Sequence, residues 1–433
     1  MKRVVSFFTR LCEAYLPDAF VFSLLLTLLV FSIGLVFTPH SPKTLVEFWG
    51  KDFWSLNAFA MQMVFVLISG HMLATSPLVQ KGLKKITFHV HSEVVALLVI
   101  SLFSTLACFI NWGFGLIVSG ILAIELAKKL KKVNFGLFVA TAYSGFIVWH
   151  GGLSGSIPLK IAGTDEILTK IYPDLSIPLT QTIFSSLNLV MVLSLLILMP
   201  LLALWMRTDE KVQVQDNEIV PTPSESLSTF RDKLENFSGF NWIFFIFFLV
   251  YFISSLQRGD TLDINKINWI FLFLAILLHQ TPRRFLKALQ ESFSYASGVV
   301  IQFPFYAGIM GLMQYSGLAD SISEIFVSIS TTQTLGVWTF LSGGIVNFFI
   351  PSGGGQWVVQ GPIMLKAAYS LKADPAKISM ALAWGDAWTN LIQPFWALPI
   401  LGLAKLKLKD IMGYCLVFTF FSGILISALL LWF

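Results

Sequence analysis

The chain has 433 residues, of which 12% are charged, 56% are apolar and 15% are aromatic. Ordinary soluble domains carry about 25% charged residues, and a soluble monomer of this length cannot hide so much apolar surface. A soluble enzyme, a disordered chain and a secreted disulfide scaffold are excluded. The mean hydropathy of +0.76 fits an all-α polytopic membrane protein, and the net charge of +5 is read as orienting loop charge, not as a nucleic-acid footprint.

The first 18 residues carry Lys2, Arg3 and Arg10 among Phe7, Phe8, Leu11 and Tyr15. They lack a small-residue cleavage site after an apolar core, and they read as an amphipathic helix on the cytoplasmic interface. Apolar runs that cross or nearly cross a membrane follow at 19–37, 53–73, 94–110, 114–126, 135–149 (continuing to 162) and 179–205. Residues 207–238 are polar, Ser-rich and acidic, with Pro221 and Pro223. They read as a cytoplasmic linker between two transmembrane halves, 19–206 and 239–433. The second half has runs at 240–256, 267–279, 293–313, 335–350, 356–367, 378–392 (continuing to 404) and 411–433. The total is about 11–13 membrane segments, with 240–256 an extra span. Cys12, Cys108 and Cys415 lie far apart in apolar or amphipathic context and read as packing residues, with no disulfide and no metal role.

The halves repeat. Met61 and Gln62 match Ile301 and Gln302 at an offset of 240; Asn111, which opens a Gly-rich segment, matches Asn347 at 236; Ala142 and Tyr143 match Ala383 and Trp384 at 241. Basic clusters at 2–10, 81–85, 128–132, 207–233, 283–287 and 405–409 fall on one side if each Gly-rich segment carries the chain across. Lys366, Lys372 and Lys377 are the exceptions, and 316–333 has no Lys or Arg and lies outside. The two repeats then have inverted topology. If the Gly-rich segments are re-entrant hairpins instead, several basic loops change side.

Inverted repeats with interrupted helices are the pattern of a secondary transporter. The strongest interruption is Asn347-Phe348-Phe349-Ile350-Pro351-Ser352-Gly353-Gly354-Gly355-Gln356-Trp357. Proline followed by three glycines breaks a lipid-facing helix, and such backbone is tolerated only at a cavity or inside protein. A helix restarting at Gln356 aims its N–H groups at the break, an anion site suited to a carboxylate, with Ser352 and Gln356 as side-chain donors. The competing reading is a helix-packing glycine cluster.

The second constellation is Ala383-Trp384-Gly385-Asp386-Ala387-Trp388-Thr389-Asn390-Leu391-Ile392-Gln393-Pro394. Asp386 stands in an apolar run, and an intramembrane carboxylate is a functional hypothesis by default. It is read as carrying a coupling proton, ligating Na+, or hydrogen-bonding its neighbours structurally. Thr389, Asn390 and Gln393 lie three, four and seven residues on and are expected on one helical face with Asp386. The first half offers Asn111, His150 and Ser154, with Gly145 at the place of Asp386. His150 is a proton carrier, a carboxylate donor or a structural hydrogen-bonder, and His71 in a mid-run position is expected to be structural. Trp112, Trp149, Trp357, Trp384, Trp388 and Trp396 surround the breaks, either walling an apolar slot or anchoring the packing. No Walker A sequence, Cys/His metal spacing or H-E-x-x-H occurs. No nucleophile and base cluster in sequence, so an enzyme is not expected. A channel would use the same breaks as a filter.

These residues resemble the bacterial short-chain fatty acid transporter family, of the acetoacetate and butyrate uptake type. The resemblance covers essentially the whole chain, beginning at Tyr15-Leu16-Pro17-Asp18-Ala19-Phe20-Val21-Phe22 and continuing through Ala58-Phe59-Ala60-Met61-Gln62-Met63. It is most specific in the two long strings around Asn347 and Asp386. It implies import of small monocarboxylates across the bacterial cytoplasmic membrane. The family is grouped with the ion-transporter superfamily, whose members are similar in inverted repeats, paired hairpins, broken helices and often a dimer with an elevator-like moving domain.

The combined expectation is a secondary carrier with the N-terminus cytoplasmic, embedded in a lipid bilayer and without a nucleic-acid partner or cofactor. Substrate carboxylate sits on Ser352, Gly353, Gly354, Gly355 and Gln356. Asn111 and Asn347 orient the breaks. Ser154, Thr389 and Asn390 complete the substrate-binding set, and Thr389 and Asn390 also stand beside Asp386 at the coupling cation. Asp386, with His150 and Gln393, serves the coupling ion, H+ in the first instance and Na+ as the alternative.

Overall fold

In lipid every backbone polar group must be satisfied within the chain, so long uncharged runs become helices. The computed structural model describes residues 19–163, 166–172, 175, 177–208, 212–213, 229–259, 264–350 and 353–433. The interfacial helix expected at 1–18, Cys12, most of the linker and the pair Pro351 and Ser352 lie outside the described residues.

The helices, in order, are α1 (Ala19–Phe37), α2 (Pro42–Asp52), α3 (Asn57–Thr75), α4 (Pro77–Phe88), α5 (Glu93–Ile110), α6 (Trp112–Leu130) and α7 (Phe135–Ser144). A tight 3-10 segment, Gly145–Gly151, continues α7 and precedes α8 (Ser156–Ile161), α9 (Glu166–Ile171) and α10 (Ser186–Trp205). Next come α11 (Phe230–Glu235), α12 (Gly239–Gln257), α13 (Ile264–Leu278), α14 (Pro282–Tyr315) and α15 (Leu318–Ser328). The last five are α16 (Leu335–Asn347), α17 (Gly353–Leu371), α18 (Pro375–Asn390), α19 (Pro394–Ala404) and α20 (Lys409–Trp432). One antiparallel two-residue pairing, Lys132–Val133 with Val212–Gln213, ties the linker back to the first half.

Among the described residues, five helical stretches are long and apolar enough to cross a membrane: Phe20–Phe37, Glu93–Ile110, Ser186–Trp205, Phe230–Gln257 and Lys409–Trp432. The pair Ala60–Thr75 and Pro77–Phe88, bent by 65°, makes a sixth if it is one broken span. The rest of the apolar sequence is in shorter or interrupted pieces. On α12, Trp242, Phe244, Phe247 and Val250 are exposed, the surface expected where the solvent is lipid.

α14 lies along α1, α2 and α3, while α5 packs on α6, and α16 packs on α18 more extensively than any other pair. The α16–α18 approach depends on a glycine. A Cβ at Gly385 would overlap the Phe340 carbonyl oxygen, so only a residue without a side chain lets these two backbones meet. Cys108 and Cys415 are buried. Lys366, an exception in the charge pattern, lines a cavity with Asp320 and Glu324.

Two expectations change in detail. The Gly-rich segment after Asn111 is continuous helix: α5 and α6 are separated by that single residue, which has extended backbone (φ −152°, ψ 122°). Glycine costs helix stability only by about 1 kcal/mol, and helix packing outweighs that here. The helix after the second break also restarts at Gly353, not at Gln356. The three glycines form its first turn, where backbone N–H groups have no intrahelical partner to lose.

Candidate functional site

α18 carries Asp386 into the protein interior, where it is 1% exposed. The 3-10 segment carries His150 to the same place, 0% exposed, and its Nδ1 stands 3.3 Å from Asp386 Oδ1. The residues are 236 positions apart and come from opposite halves. Burying an ionisable pair costs several kcal/mol per ion unless pairing and hydrogen bonds offset it, so the arrangement is a specified feature of the fold.

The tautomer of His150 follows from its other nitrogen. The Ile157 backbone N–H donates to Nε2 at 3.1 Å, and Ser156 Oγ lies 2.9 Å from the same atom. A backbone N–H only donates, so Nε2 is an acceptor and the ring proton sits on Nδ1, facing Asp386. Gly353 completes the contact, because a Cβ there would overlap the His150 ring and press on Ser156 Oγ. The second break of one half is thereby seated against the first break of the other.

Asn347, the last residue of α16, joins the same cluster. Its Nδ2 donates to Asp386 O at 2.7 Å, Thr389 Oγ1 at 2.9 Å and Asn390 Oδ1 at 2.7 Å. Asn390 Nδ2 in turn donates to Asp386 Oδ1 at 3.2 Å, the one-turn spacing expected of positions four apart. Thr389 Oγ1 donates to Gly344 O. Gln393 does not share that face: α18 ends at Asn390, Pro394 opens α19, and Gln393 lies between them. Its Nε2 donates to Asn347 O at 2.8 Å, bridging the two breaks of the second half.

Backbone carbonyls only accept, so the nitrogens of Asn347 and Gln393 are assigned by their partners and the amide oxygens point elsewhere. Asn347 Oδ1, Gln393 Oε1 and Asp386 Oδ2 are buried, and none has a hydrogen-bond partner among the described residues. Each unpartnered buried acceptor costs about 1–3 kcal/mol. All three are oxygen acceptors, the atom type that a hard cation or a proton takes.

The first half supplies the matching break. Asn111 caps α6, its Oδ1 accepting from Phe114 N at 2.9 Å, and Ser154 Oγ accepts from Trp112 N at 3.1 Å. Gln356 is turned into the packing, its Nε2 donating to Gly343 O and Gln360 Oε1, and its Oε1 is buried without a hydrogen-bond partner among the described residues. Gly354 has open space where a Cβ would stand. Together with Gly355 it lines a cavity of about 270 Å³, whose other walls are Ser55, Leu56, Lys160, Met310, Gln314 and Val358.

Of the six tryptophans, Trp112, Trp149 and Trp396 meet in one cluster with Phe146, with Trp112 and Trp396 at 5.3 Å between centroids. Trp149 stacks on His150 at 4.0 Å and so fixes that ring from its face. Trp384 Nε1 donates to Asn188 Oδ1 and Trp388 Nε1 to Thr419 O, while Trp357 belongs to a separate apolar cluster with Ile157 and Leu365. His71 Nδ1 lies 2.8 Å from Ser292 Oγ.

Three residues of this neighbourhood carry no local sequence signal. Tyr143 OH donates to Asn390 O at 2.6 Å. Asn188 Nδ2 donates to Gly151 O at 2.8 Å. Lys160 enters the cavity wall from α8. The sequence offset that matches Tyr143 with Trp384 does not mark Tyr143 as a partner of Asn390.

Interrupted helices meeting around a buried ionisable pair, inside a bundle with lipid-facing apolar surface, define a multi-pass helical membrane protein with its polar chemistry at the breaks. The family model described as "Short chain fatty acid transporter" matches residues 1–433. The chain belongs to that family, and its role is transport. A protein of Escherichia coli (strain K12) is 38% identical over 98% of both chains, and one of Haemophilus influenzae is 36% identical over 98% of both; both have names that propose short-chain fatty acid transport. Among solved structures, the Alcanivorax borkumensis YdaH transporter is 15% identical with a TM-score of 0.49, covering 96% of this chain and 98% of its own. Neisseria gonorrhoeae MtrF is 17% identical with a TM-score of 0.40, covering 98% and 97%.

Proposed function

We propose that the protein is a secondary carrier that imports short-chain monocarboxylates, such as butyrate or acetoacetate, together with H+ across the bacterial cytoplasmic membrane. The observation that carries this reading is the buried His150–Asp386 pair at 3.3 Å, set against the glycine turn that opens α17. A carboxylate in an apolar run beside an imidazole supports a proton-binding site, because binding a proton removes the carboxylate's charge. The substrate carboxylate sits on the first turn of α17, at Gly353, Gly354 and Gly355, where N–H groups and the helix dipole favour an anion. Asn111 and Asn347 hold the two breaks in register.

The two halves act as inverted repeats, divided by the 207–238 linker, with the N-terminus cytoplasmic. Alternating access is a rigid-body movement of the broken-helix part against the remaining spans. A second reading rests on the buried oxygens Asn347 Oδ1, Gln393 Oε1 and Asp386 Oδ2, an all-oxygen set suited to co-transported Na+.

Uptake of radiolabelled butyrate and acetoacetate into proteoliposomes, under imposed H+ or Na+ gradients, tests both. Accumulation driven by an inward H+ gradient supports the first reading, and accumulation driven only by Na+ supports the second. Downhill flux without accumulation or counterflow under either gradient makes the protein a channel and overturns both.

A further inference from the structure

The fold gathers basic runs that lie far apart in the sequence. The stretch 77–92 carries Lys81, Lys84 and Lys85, the stretch 126–136 carries four more lysines, and neither contains an acid. Lys129 joins the two stretches. Its Nζ donates to Thr87 O at 2.7 Å and to Phe88 O at 2.8 Å, so the end of α6 closes the C-terminus of α4. The flanking acids face other groups, Glu125 at 3.6 Å from Lys128 and Glu93 at 3.5 Å from Arg207. The basic run 405–409 reaches the same end of the molecule, because a Cβ on Gly136 would overlap the Asp410 carbonyl oxygen.

α4 mixes this charge with apolar surface. Leu78, Lys81, Lys85 and Phe88 are three, four and three residues apart and form one stripe along the helix. Leu78 is 62% exposed and Phe88 70%, and the two lysines between them are exposed. The opposite side packs inward, with Leu83 and Thr87 buried. α4 also leaves the line of α3 by 65°. A lysine in the hydrocarbon core is costly, and exposed leucine and phenylalanine are unfavourable in water. The headgroup layer satisfies both, with ammonium groups among phosphates and apolar side chains at the acyl boundary.

We propose that α4 lies along the membrane surface and, with the C-terminus of α6, binds the headgroups of anionic phospholipids. Lys81, Lys84 and Lys85 meet the phosphates, Lys131 and Lys132 extend the positive surface, and Leu78 and Phe88 enter the acyl boundary. The apolar ends of the stripe favour a lipid over a nucleic-acid backbone, which has no place for them. Each lysine near such a surface strengthens binding about fivefold. The inference is independent of which solute the protein moves.

The test uses the full-length protein in vesicles of equal parts phosphatidylglycerol and phosphatidylcholine, with a trace of photoactivatable phosphatidylglycerol. Cross-linked peptides are mapped by mass spectrometry. Label is expected within 77–92 and 126–136, competed by added phosphatidylglycerol but not by phosphatidylcholine or inorganic phosphate. Label absent from both stretches, or competed equally by the two lipids or fully by phosphate, overturns the proposal. A second measurement compares the lipid retained through purification. The combined variant Lys81→Gln, Lys84→Gln, Lys85→Gln should lower the ratio of phosphatidylglycerol to phosphatidylcholine about fivefold or more, and the corresponding arginine variant should keep it. An unchanged ratio in the glutamine variant overturns the proposal, and the labelling of the wild type decides it should that variant fail to fold.

Discussion

At the first-half break, Asn111 Oδ1 accepts from Phe114 N and Ser154 Oγ accepts from Trp112 N, so its amide and hydroxyl oxygens are occupied by the chain itself. At the second-half break, Asn347 Oδ1, Gln393 Oε1 and Asp386 Oδ2 have no such partners among the described residues. The reason is local geometry. Asn111 precedes a helix with extended backbone and caps it, whereas Asn347 ends a helix and reaches sideways to α18 with its nitrogen. Asparagine therefore closes one break and leaves acceptors open at the other. The N-terminal side of the chain contributes His150 to the pair, and the C-terminal side contributes the carboxylate.

Matched substitutions at the two breaks should have unequal effects. The largest effect is expected from Gly353→Ala. The new methyl meets a ring that Ile157, Ser156 and Trp149 hold in place. Overpacking of this kind costs about 1–3 kcal/mol, and butyrate uptake should fall to that of protein-free vesicles. Gly354→Ala, with open space at its Cβ, should leave the melting temperature in detergent unchanged.

Asn347→Ala comes next. It removes two N–H donors that are shared among three acceptors, each hydrogen bond worth about 0.5–1.5 kcal/mol net, and should abolish gradient stimulation of uptake along with lowering thermal stability. Asn111→Ala removes a helix cap worth about 1 kcal/mol and should lower the melting temperature while gradient stimulation survives. Equal loss of coupling in both variants would erase the distinction drawn between the halves.

The smallest effects belong to the ties around the site. Tyr143→Phe loses the bond to Asn390 O, and Ser154→Ala loses the bond from Trp112 N. Each should cost about 1 kcal/mol, read as a small drop in melting temperature with coupling retained in both.

Much of this was legible along the chain. Pro351 with the three following glycines announced the interruption, and an acid in an apolar run announced Asp386. The four-residue spacing of Asp386 and Asn390 became the hydrogen bond it suggested. Other features depend on tertiary approach. Gln393 was expected on the Asp386 face by helical spacing, but the helix stops at Asn390 and the chain turns before Gln393. Gln356 was expected as a substrate donor, and its nitrogen packs on Gly343 and Gln360. His150 and Asp386, Tyr143 and Asn390, and Asn188 and Trp384 meet across separations of roughly half the chain, which no local pattern encodes. The tryptophans divide for the same reason, three converging and three serving other contacts.

The most direct test of the division between halves is Asp386→Asn in proteoliposomes, with butyrate accumulation under an inward H+ or Na+ gradient measured beside counterflow in its absence. Accumulation should be lost under both gradients while counterflow persists, because the amide keeps the shape of the site and removes its charge. Accumulation equal to wild type would contradict it, returning Asp386 to a structural role.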